Sequence, residues 1–584
     1  MFKSIGPRAV FIAVLSVVIL GACKDGTSVS PELASEDSIL RFVPAGTPYL
    51  FATGTPLPDE MLDKFEPKVD EMLKAYQVVF REVFRSMVAK NSGDMSEDDI
   101  QRFSAVVDEL TSLLSIDGLR NAGFERGSQL ALFGNGLLPV MRIEVSDEKK
   151  FDAAIARMEE AAGESMSVAE LDGNSYRYVG DDDIRLVIGA FDGTAVFSVV
   201  PGGFDDDQTR QLLGLTLPDT SIAETSTVAD IISTYDYTDH YVGFIDARRI
   251  ASTFIDSPTG LDVALLASME HDADEISDVC KAEIREVVEI APRLVIGYDE
   301  VSLDALSGSM VVEMRDDIAT GLSTVSAPVP GLGQDPGGLL SMGVSFNLLA
   351  LREFYEARLD AMEADPFECE YFEDLQAGVA KGRAALNQPM PPFVYGLRGF
   401  NAVVDDISDF DMANDKPPEN VEASVLVALE DAQTMVAMGA MFSPELAGMD
   451  LQPDGVPVQL DLPQLQAVGD VVYAAMLQDA VAISVGSNAE SRVKSVLNAD
   501  SVQPPPMFSM TMDAGRYYAL IAQSIMVDRY GNDDEGTKLE LSLASREALR
   551  DAMLVIGDMY DRMAFDIRFT ERGMELDSRV TLKD

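Results

Sequence analysis

The chain has 584 residues, of which 47% are apolar, so it can bury large hydrophobic cores and fold into more than one domain. Its formal net charge is −55, and such a field repels nucleic acid and anionic lipid headgroups. The composition therefore excludes a disordered chain and a nucleic-acid-binding function. A solvated acidic surface explains the charge most simply, and attraction of cations or of a basic partner is the alternative.

The first 22 residues have the pattern of a signal peptide that ends at a cysteine. Lys3 and Arg8 form a short basic region, and the apolar run 9–20 is shorter than the roughly 20 residues that a membrane-spanning helix needs. The segment 20–23, Leu-Gly-Ala-Cys, resembles the lipobox of bacterial lipoproteins. The resemblance implies diacylglycerol on Cys23, usually with a third acyl chain such as palmitate, and hence a stable membrane anchor. A plain secretory signal or an uncleaved anchor is the alternative.

Residues 23–38 are predicted to be the lipidated Cys23 and a flexible tether, because the stretch is polar and contains Gly, Pro and Ser. The residue that follows Cys23 is Lys24, not Asp. By analogy with enteric bacteria, this favours sorting to the outer membrane. We therefore expect a lipid-anchored protein of the cell envelope, on the outer membrane and facing the periplasm.

Two cysteines, Cys280 and Cys369, remain when Cys23 carries the lipid. In an oxidising compartment this even remainder predicts one disulfide, which would tie the first half of the chain to the second. Two free buried thiols are the alternative.

A strand followed by an Asp or Asn that can cap a helix recurs along the chain and indicates an internal duplication. Asp246 ends one such strand, Asp513 ends its repeat, and Asn347 follows a third copy. A second strand–helix unit at 140–160 recurs at 423–441 with the same order and residue types.

The predicted fold class is α+β, with two homologous halves at 39–325 and 338–584 and a Pro- and Gly-rich linker at 326–337. A loop inside one body is the alternative for that linker. Strands with helices between them, closed by hairpins, predict antiparallel or mixed sheets with helices packed on one face. One hairpin is predicted to turn at Asn135-Gly136.

The lipobox, the strand that starts at Pro48 and the hairpin at 138–142 together resemble a group of uncharacterised proteobacterial lipoproteins. Their repeated module is similar to an envelope domain of unknown function. The resemblance covers nearly the whole mature chain, and it implies no catalytic residue that could be carried over.

Motifs for catalysis or metal binding are sparse. His240 and His271 are the two histidines, and neither has the spacing of a zinc site or a partner motif of a catalytic triad. Acidic clusters at 181–183, 205–207 and 533–535 are interpreted as turn tips and helix starts, with a calcium site as the alternative. The sequence therefore predicts no cofactor, no metal ligand and no catalytic residue.

Three functions remain open. The first is a non-enzymatic envelope lipoprotein that binds another envelope component, favoured by the anchor, the duplication and the missing motifs. The second is a carrier or chaperone for an apolar ligand, suggested by Met-rich helices such as that with Met435, Met438 and Met441. The third is a carboxylate-based hydrolase, for which the sequence cannot select the pair of acids.

Overall fold

The computed structural model describes residues 38–91, 97–181, 183–408, 418, 420–441, 451–460, 471–526 and 542–583. The predicted signal peptide 1–22, Cys23 and all of its tether except Ser38 lie outside these residues. The described residues form two compact units. Unit 1 takes its residues from 1–276, 295–306 and 528–559, and unit 2 takes its residues from 277–294, 307–527 and 560–584.

The described part of the chain contains both helices and strands in quantity. The helices are α1 (Asp59–Asn91), α2 (Glu97–Ser112), α3 (Ile116–Asn121), α4 (Glu148–Ala162), α5 (Asp206–Leu213), α6 (Thr227–Tyr235), α7 (Ala247–Ile255), α8 (Asp262–Ser268), α9 (Asp278–Val288), α10 (Asp316–Ser323), α11 (Leu348–Ala364), α12 (Glu373–Leu386), α13 (Ala432–Gly439), α14 (Ala489–Leu497), α15 (Ala514–Ile525) and α16 (Leu543–Met559). The strands are β1 (Tyr49–Thr53), β2 (Leu130–Asn135), β3 (Leu138–Glu144), β4 (Ser167–Leu171), β5 (Asn174–Gly180), β6 (Ile184–Phe191), β7 (Thr194–Pro201), β8 (Tyr241–Asp246), β9 (Arg293–Val301), β10 (Ala305–Glu313), β11 (Leu340–Ser345), β12 (Leu397–Ser408), β13 (Asn420–Leu429), β14 (Val458–Leu460), β15 (Val472–Met476), β16 (Ala480–Val485), β17 (Phe508–Asp513), β18 (Tyr560–Thr570) and β19 (Gly573–Leu582). The predicted mixture of helix and sheet is confirmed.

The sheet of unit 1 has the strand order β4-β5-β6-β7-β3-β2-β1-β8, and each of these pairs is antiparallel. The long α1 and the shorter α2 and α3 are inserted between β1 and β2. Helix α16, from the end of the chain, also belongs to unit 1. The predicted antiparallel pairing is therefore confirmed in this unit.

The strands of unit 2 pair in the order β14-β15-β16-β13-β12-β11-β17-β18-β19, with β10 beside β19, and the pairs from β14 to β19 are antiparallel. Helix α9, from the first half of the sequence, belongs to this unit. Relative to a division of the sequence into halves, unit 2 gains α9 and α10, and unit 1 gains α16.

Helices pack on both faces of the unit 2 sheet, and the prediction of helices on one face is wrong. Leu426 of β13 lies in a core cluster with Val493 and Leu497 of α14. Its neighbour Val427 packs against a different cluster, together with Met435 of α13. Because successive strand residues point to opposite faces, these two helices lie on opposite sides of the sheet. The sequence pattern missed this because the strand is apolar on both faces.

The helix caps predicted at Asp246, Asn347 and Asp513 are confirmed, and Asp147 and Asp431 cap their helices in the same way. In each case a side-chain oxygen of the cap accepts a hydrogen bond from a backbone N–H of the first turn, which satisfies one of the free donors there. The bonds join Asp147 to Lys149 (3.0 Å), Asp246 to Arg249 (3.1 Å), Asn347 to Ala350 (3.2 Å), Asp431 to Thr434 (3.0 Å) and Asp513 to Arg516 (2.9 Å).

The predicted hairpin joins β2 to β3, but its turn lies one residue later than predicted. Asn135 pairs with Leu138, so the two turn residues are Gly136 and Leu137. Gly136 has φ +62°, a left-handed conformation that glycine adopts without strain. A Cβ at this position would lie 2.3 Å from a carboxylate oxygen of Asp262, which also accepts a hydrogen bond from the backbone N–H of Leu137 at 2.7 Å.

The segment 326–337, predicted as a linker, lies inside unit 2. Val329 and Leu332 are 1% and 2% exposed and belong to the core cluster that contains Leu426. The Pro and Gly residues of this segment therefore shape a buried loop, since the chain must turn sharply to bring both side chains under the sheet.

Candidate functional site

One face of the unit 2 sheet carries apolar side chains in two neighbouring rows, which we call the open face. Directly paired residues of adjacent strands lie on the same face, so the strand register defines each row. The first row is Ile483–Val425–Ala402–Met342–Met510–Phe565, and the second is Val481–Val427–Phe400–Val344–Phe508–Ile567.

The centre of the open face is exposed. Met342 of β11, Phe400 of β12 and Val425 of β13 have 41%, 40% and 46% of their surface accessible. On the other side of the same strands, Asn401 and Leu426 are 5% and 1% exposed. This is the reverse of the usual antiparallel sheet, in which the exposed face is polar. A contiguous exposed apolar patch of this kind is typical of a binding surface.

Unit 1 contains the same register at the corresponding place in its sheet. Direct pairing connects three residues across β1, β2 and β3 of unit 1, and three across β11, β12 and β13 of unit 2. The two series are Phe51–Leu132–Met141 and Met342–Ala402–Val425.

In unit 1 this face is covered. Met141 is 2% exposed and Leu130, which occupies the position of Phe400, is 5% exposed. Phe151 of α4 closes the face, with ring centroids 5.9 Å from Phe124 and 6.0 Å from Phe197 in edge-to-face contacts. The corresponding positions are therefore core in unit 1 and surface in unit 2.

The length of one helix accounts for part of this difference. Helix α4 has 15 residues and buries Phe151 and Ile155, whereas α13 has eight residues and ends at Gly439. Counted from the capping aspartates, Gly439 occupies the position of Ile155. Helix α13 therefore covers only the β16 end of the open face, where Met435, Val427, Val481 and Ile483 pack against one core cluster.

Charged pairs stand at the ends of the strands that form the open face. Arg398 donates to a Glu430 carboxylate oxygen at 2.7 Å and to the Tyr395 carbonyl at 2.7 Å. Arg516 of α15 pairs with Asp406 in the same unit. The apolar rows are thus bordered by groups of both signs.

The same substitution on the two sheets should have very different costs. We expect Met141→Ala to lower the free energy of unfolding by about 2–5 kcal/mol, because it leaves a cavity in a closed core. Met342→Ala should cost less than about 1 kcal/mol, because Met342 is 41% exposed. Urea unfolding of the two variants, followed by circular dichroism, measures the difference. Equal losses would show that the centre of the open face is covered.

Of the predicted site residues, the structure brings Cys280 and Cys369 together and Cys23 lies outside the described residues. The two cysteines are joined in a disulfide, with their Cα atoms 4.7 Å apart, and they are 6% and 3% exposed. Glu283 binds the same segment, since its carboxylate accepts hydrogen bonds from the backbone N–H groups of Glu368 (2.8 Å) and Cys369 (3.0 Å). Both connections fasten α9 to the segment before α12.

The histidines contact backbone carbonyl groups. His240 Nδ1 lies 2.8 Å from the Thr55 oxygen, and His271 Nε2 lies 2.8 Å from the Phe254 oxygen. Asp205, from one acidic cluster, caps α5 and accepts from the Gln208 N–H at 2.8 Å. The cluster at 533–535 lies outside the described residues. Within the described residues, no three His, Cys, Asp or Glu side chains are grouped so that they could hold a metal ion.

One pair of carboxylates faces each other across a hairpin. Asp566 of β18 pairs directly with Asp577 of β19, and Arg568 forms ion pairs with both, at 2.9 Å to Asp566. Burial raises the pKa of Asp577 against the opposing effect of Arg568, and Glu575 and Asp566 raise it further. Two acids with different environments are the arrangement that glycosidases use, but Arg568 binds both of these.

Unit 1 contains a cavity of about 420 Å³. Its wall includes the charged side chains of Arg41, Glu125, Glu144 and Asp192. Transfer of an apolar ligand to this cavity would remove water from those charges, which is unfavourable. The open face, which lacks charged groups in its rows, is the better site for an apolar ligand.

No helix in the described ranges is long and apolar enough to cross a membrane. Sequence patterns did not identify the open face, although 340–345 carries a signal: Leu340, Met342 and Val344 alternate with Ser and Gly rather than with charged residues. No protein-family model, no curated protein and no solved structure matches this chain.

Proposed function

We propose that this chain is a non-enzymatic, lipid-anchored protein of the cell envelope that acts by binding another envelope component through the open face. The lipobox at 20–23 supports the anchor on Cys23, and Lys24 supports the outer membrane, with the protein facing the periplasm. The observation that carries the binding proposal is the exposure of Met342, Phe400 and Val425 at the centre of the open face.

Binding at this surface has a clear driving force. Each Å² of apolar surface removed from water contributes roughly 25 cal/mol, and rows of six apolar side chains offer a continuous area. Methionine and phenylalanine side chains adapt to or stack on varied apolar partners.

We also propose that the two units arose by tandem duplication, with one copy specialised for binding. The orders β6-β7-β3-β2-β1-β8 and β15-β16-β13-β12-β11-β17 correspond strand by strand. The capping residues correspond too, Asp147 to Asp431 and Asp246 to Asp513. A duplicated sheet frees one copy from a purely structural role, which explains how one face could lose its cover.

A carrier or chaperone for an apolar ligand is the second candidate, and the same open face favours it. A carboxylate-based hydrolase would have to use a pair such as Asp566 and Asp577. Both of these acids are bound to Arg568, so this candidate has the weakest support.

Site-specific photo-crosslinking in intact cells tests the binding proposal. A photoreactive amino acid at Val425, which is 46% exposed, is compared with the same amino acid at Val263 of α8, which is 49% exposed. We expect a defined adduct from position 425 and none from 263. A Cys23→Ser variant should leave the membrane fraction and lose the adduct if the partner is a membrane component.

Equal labelling at both positions, or none at position 425, would contradict the proposal. Membrane association that survives Cys23→Ser would separately contradict the lipid anchor.

A further inference from the structure

We propose that the open face binds the acyl chain of an amphiphile whose headgroup is zwitterionic. This inference rests on the proposed function, since it names the chemical class that the same surface takes.

The strands at the centre of the open face are paired on both sides, so they have no edge to which a peptide partner could bind. Strand β11 pairs with β12 and β17, β12 pairs with β11 and β13, and β13 pairs with β12 and β16. Both ladders of each central strand are therefore in use, so an extended peptide cannot add a strand there. Recognition at this surface has to come from apolar side-chain contact.

The shape of the rows suits a hydrocarbon chain. The row through Ile483, Val425, Ala402, Met342, Met510 and Phe565 crosses six strands without a polar side chain. Because α13 covers the Ile483 end, the part from Val425 to Phe565 remains, and its four steps of about 4.8 Å make it roughly 19 Å long. One leaflet of a bilayer holds its acyl chains within roughly half of the 30 Å hydrocarbon core, so a single chain fits along the row.

The helix at one end of the open face also favours an acyl chain over a flat protein surface as the ligand. At the β16 end, Met435 of α13, Val427 and Ile483 pack against one core cluster, so this end of the open face is covered. The centre at Met342 and Phe400 stays exposed. A flexible chain can lie along the exposed part beside α13, whereas a folded partner would meet the helix as an obstacle.

Charge selects the headgroup. The net charge of −55 makes the approach of an anionic headgroup unfavourable within the Debye length of about 8–10 Å. At the end of β12 and β13, however, Arg398 and Glu430 form an ion pair whose side chains are 24% and 66% exposed, respectively. Such a pair can meet a phosphate with its guanidinium and an ammonium with its carboxylate, which matches a zwitterion.

Two amphiphiles of equal chain length test the inference. The full-length chain with Cys23→Ser is purified without its lipid and titrated below the critical micelle concentration. The probes are palmitoyl-lysophosphatidylcholine, which is zwitterionic, and palmitoyl-lysophosphatidylglycerol, which is anionic. Calorimetry or native mass spectrometry measures one-to-one binding. We expect the zwitterionic probe to bind at least tenfold more tightly than the anionic one.

Variants assign the binding to the open face. Val425→Asp and Phe400→Ser should each weaken binding of the zwitterionic probe at least tenfold, and the matched control Val263→Asp should not change it. Because Val425 and Val263 are both about half exposed, the two Asp variants should keep the same unfolding midpoint, which checks that loss of binding is not loss of fold.

Equal binding of both probes would overturn the headgroup assignment, and binding that resists both open-face variants would overturn the site. If neither probe binds while position 425 still crosslinks to a protein, the acyl-chain inference fails and the proposed function stands. If neither binding nor crosslinking occurs, both fail.

Discussion

Replacing Arg492 with methionine should lower the free energy of unfolding of unit 2 by about 3–5 kcal/mol. Arg492 of α14 donates to a carboxylate oxygen of Glu422 at 2.6 Å and also pairs with Asp405. The Arg492 and Glu422 side chains are only 13% and 8% exposed. Methionine keeps most of the apolar volume but leaves the Glu422 charge buried without its cation, which is where most of the cost arises.

A second ion pair on the same helix provides the control. Lys494 lies 2.9 Å from Glu490, and both side chains are about half exposed. Lys494→Met should cost no more than about 0.5 kcal/mol, because exposed pairs one turn apart contribute little. Denaturant unfolding measures the free energy of unfolding of the two variants. Similar decreases would show that the burial of Glu422 does not make its ion pair stronger than an exposed one.

The Arg492 effect should also depend on pH. Burial raises the pKa of Glu422, but hydrogen bonds from Ser487 and Arg492 outweigh burial and hold the pKa below its ordinary value. A group with a lowered folded-state pKa contributes stability above its unfolded pKa, about 4.3, and loses that contribution as the pH falls through the folded-state value. The difference between wild type and Arg492→Met should therefore be full at neutral pH and shrink below about pH 4.

Local features of this fold followed from local sequence. The caps at Asp147, Asp246 and Asp513 needed only a short polar side chain after a strand, and each accepts the expected backbone hydrogen bond. The long α1 has apolar residues at three- and four-residue steps, which is the spacing of an amphipathic helix. These features depend on neighbours within one turn, so their residue types alone specify them.

Features that depend on segments far apart in the chain could not be predicted from the sequence. Val425 and Met141 are both apolar strand residues, yet one is 46% exposed and the other 2%. The difference arises from what covers the strand, including whether the next helix continues past the position of Gly439. The segment with Val329 and Leu332 looked like a linker because Pro and Gly are common there, although the structure uses those residues to turn the chain through a core.

Removing the disulfide should also lower the free energy of unfolding by a large amount. Cys280 and Cys369 are 89 residues apart, and the chain-entropy model gives roughly 4–5 kcal/mol for closing a loop of that size, with about 2–4 kcal/mol typical of measured cases. The Cys280→Ser, Cys369→Ser double variant is compared with wild type by thermal and denaturant unfolding. The oxidised wild type should have an intact mass lower by two hydrogens than the reduced chain, and Cys280 and Cys369 should resist alkylation even after unfolding until a reducing agent is added.

The Glu283→Gln variant separates the covalent link from the hydrogen bonds beside it. Glutamine keeps one acceptor for the N–H groups of Glu368 and Cys369, so the loss should be about 1–2 kcal/mol, well below that of the double Cys variant. If the double variant were as stable as wild type, the anchoring of α9 would rest on Glu283 and packing alone. In that case reducing agent should also leave wild-type stability unchanged, whereas a stabilising disulfide predicts that reduced wild type matches the double variant.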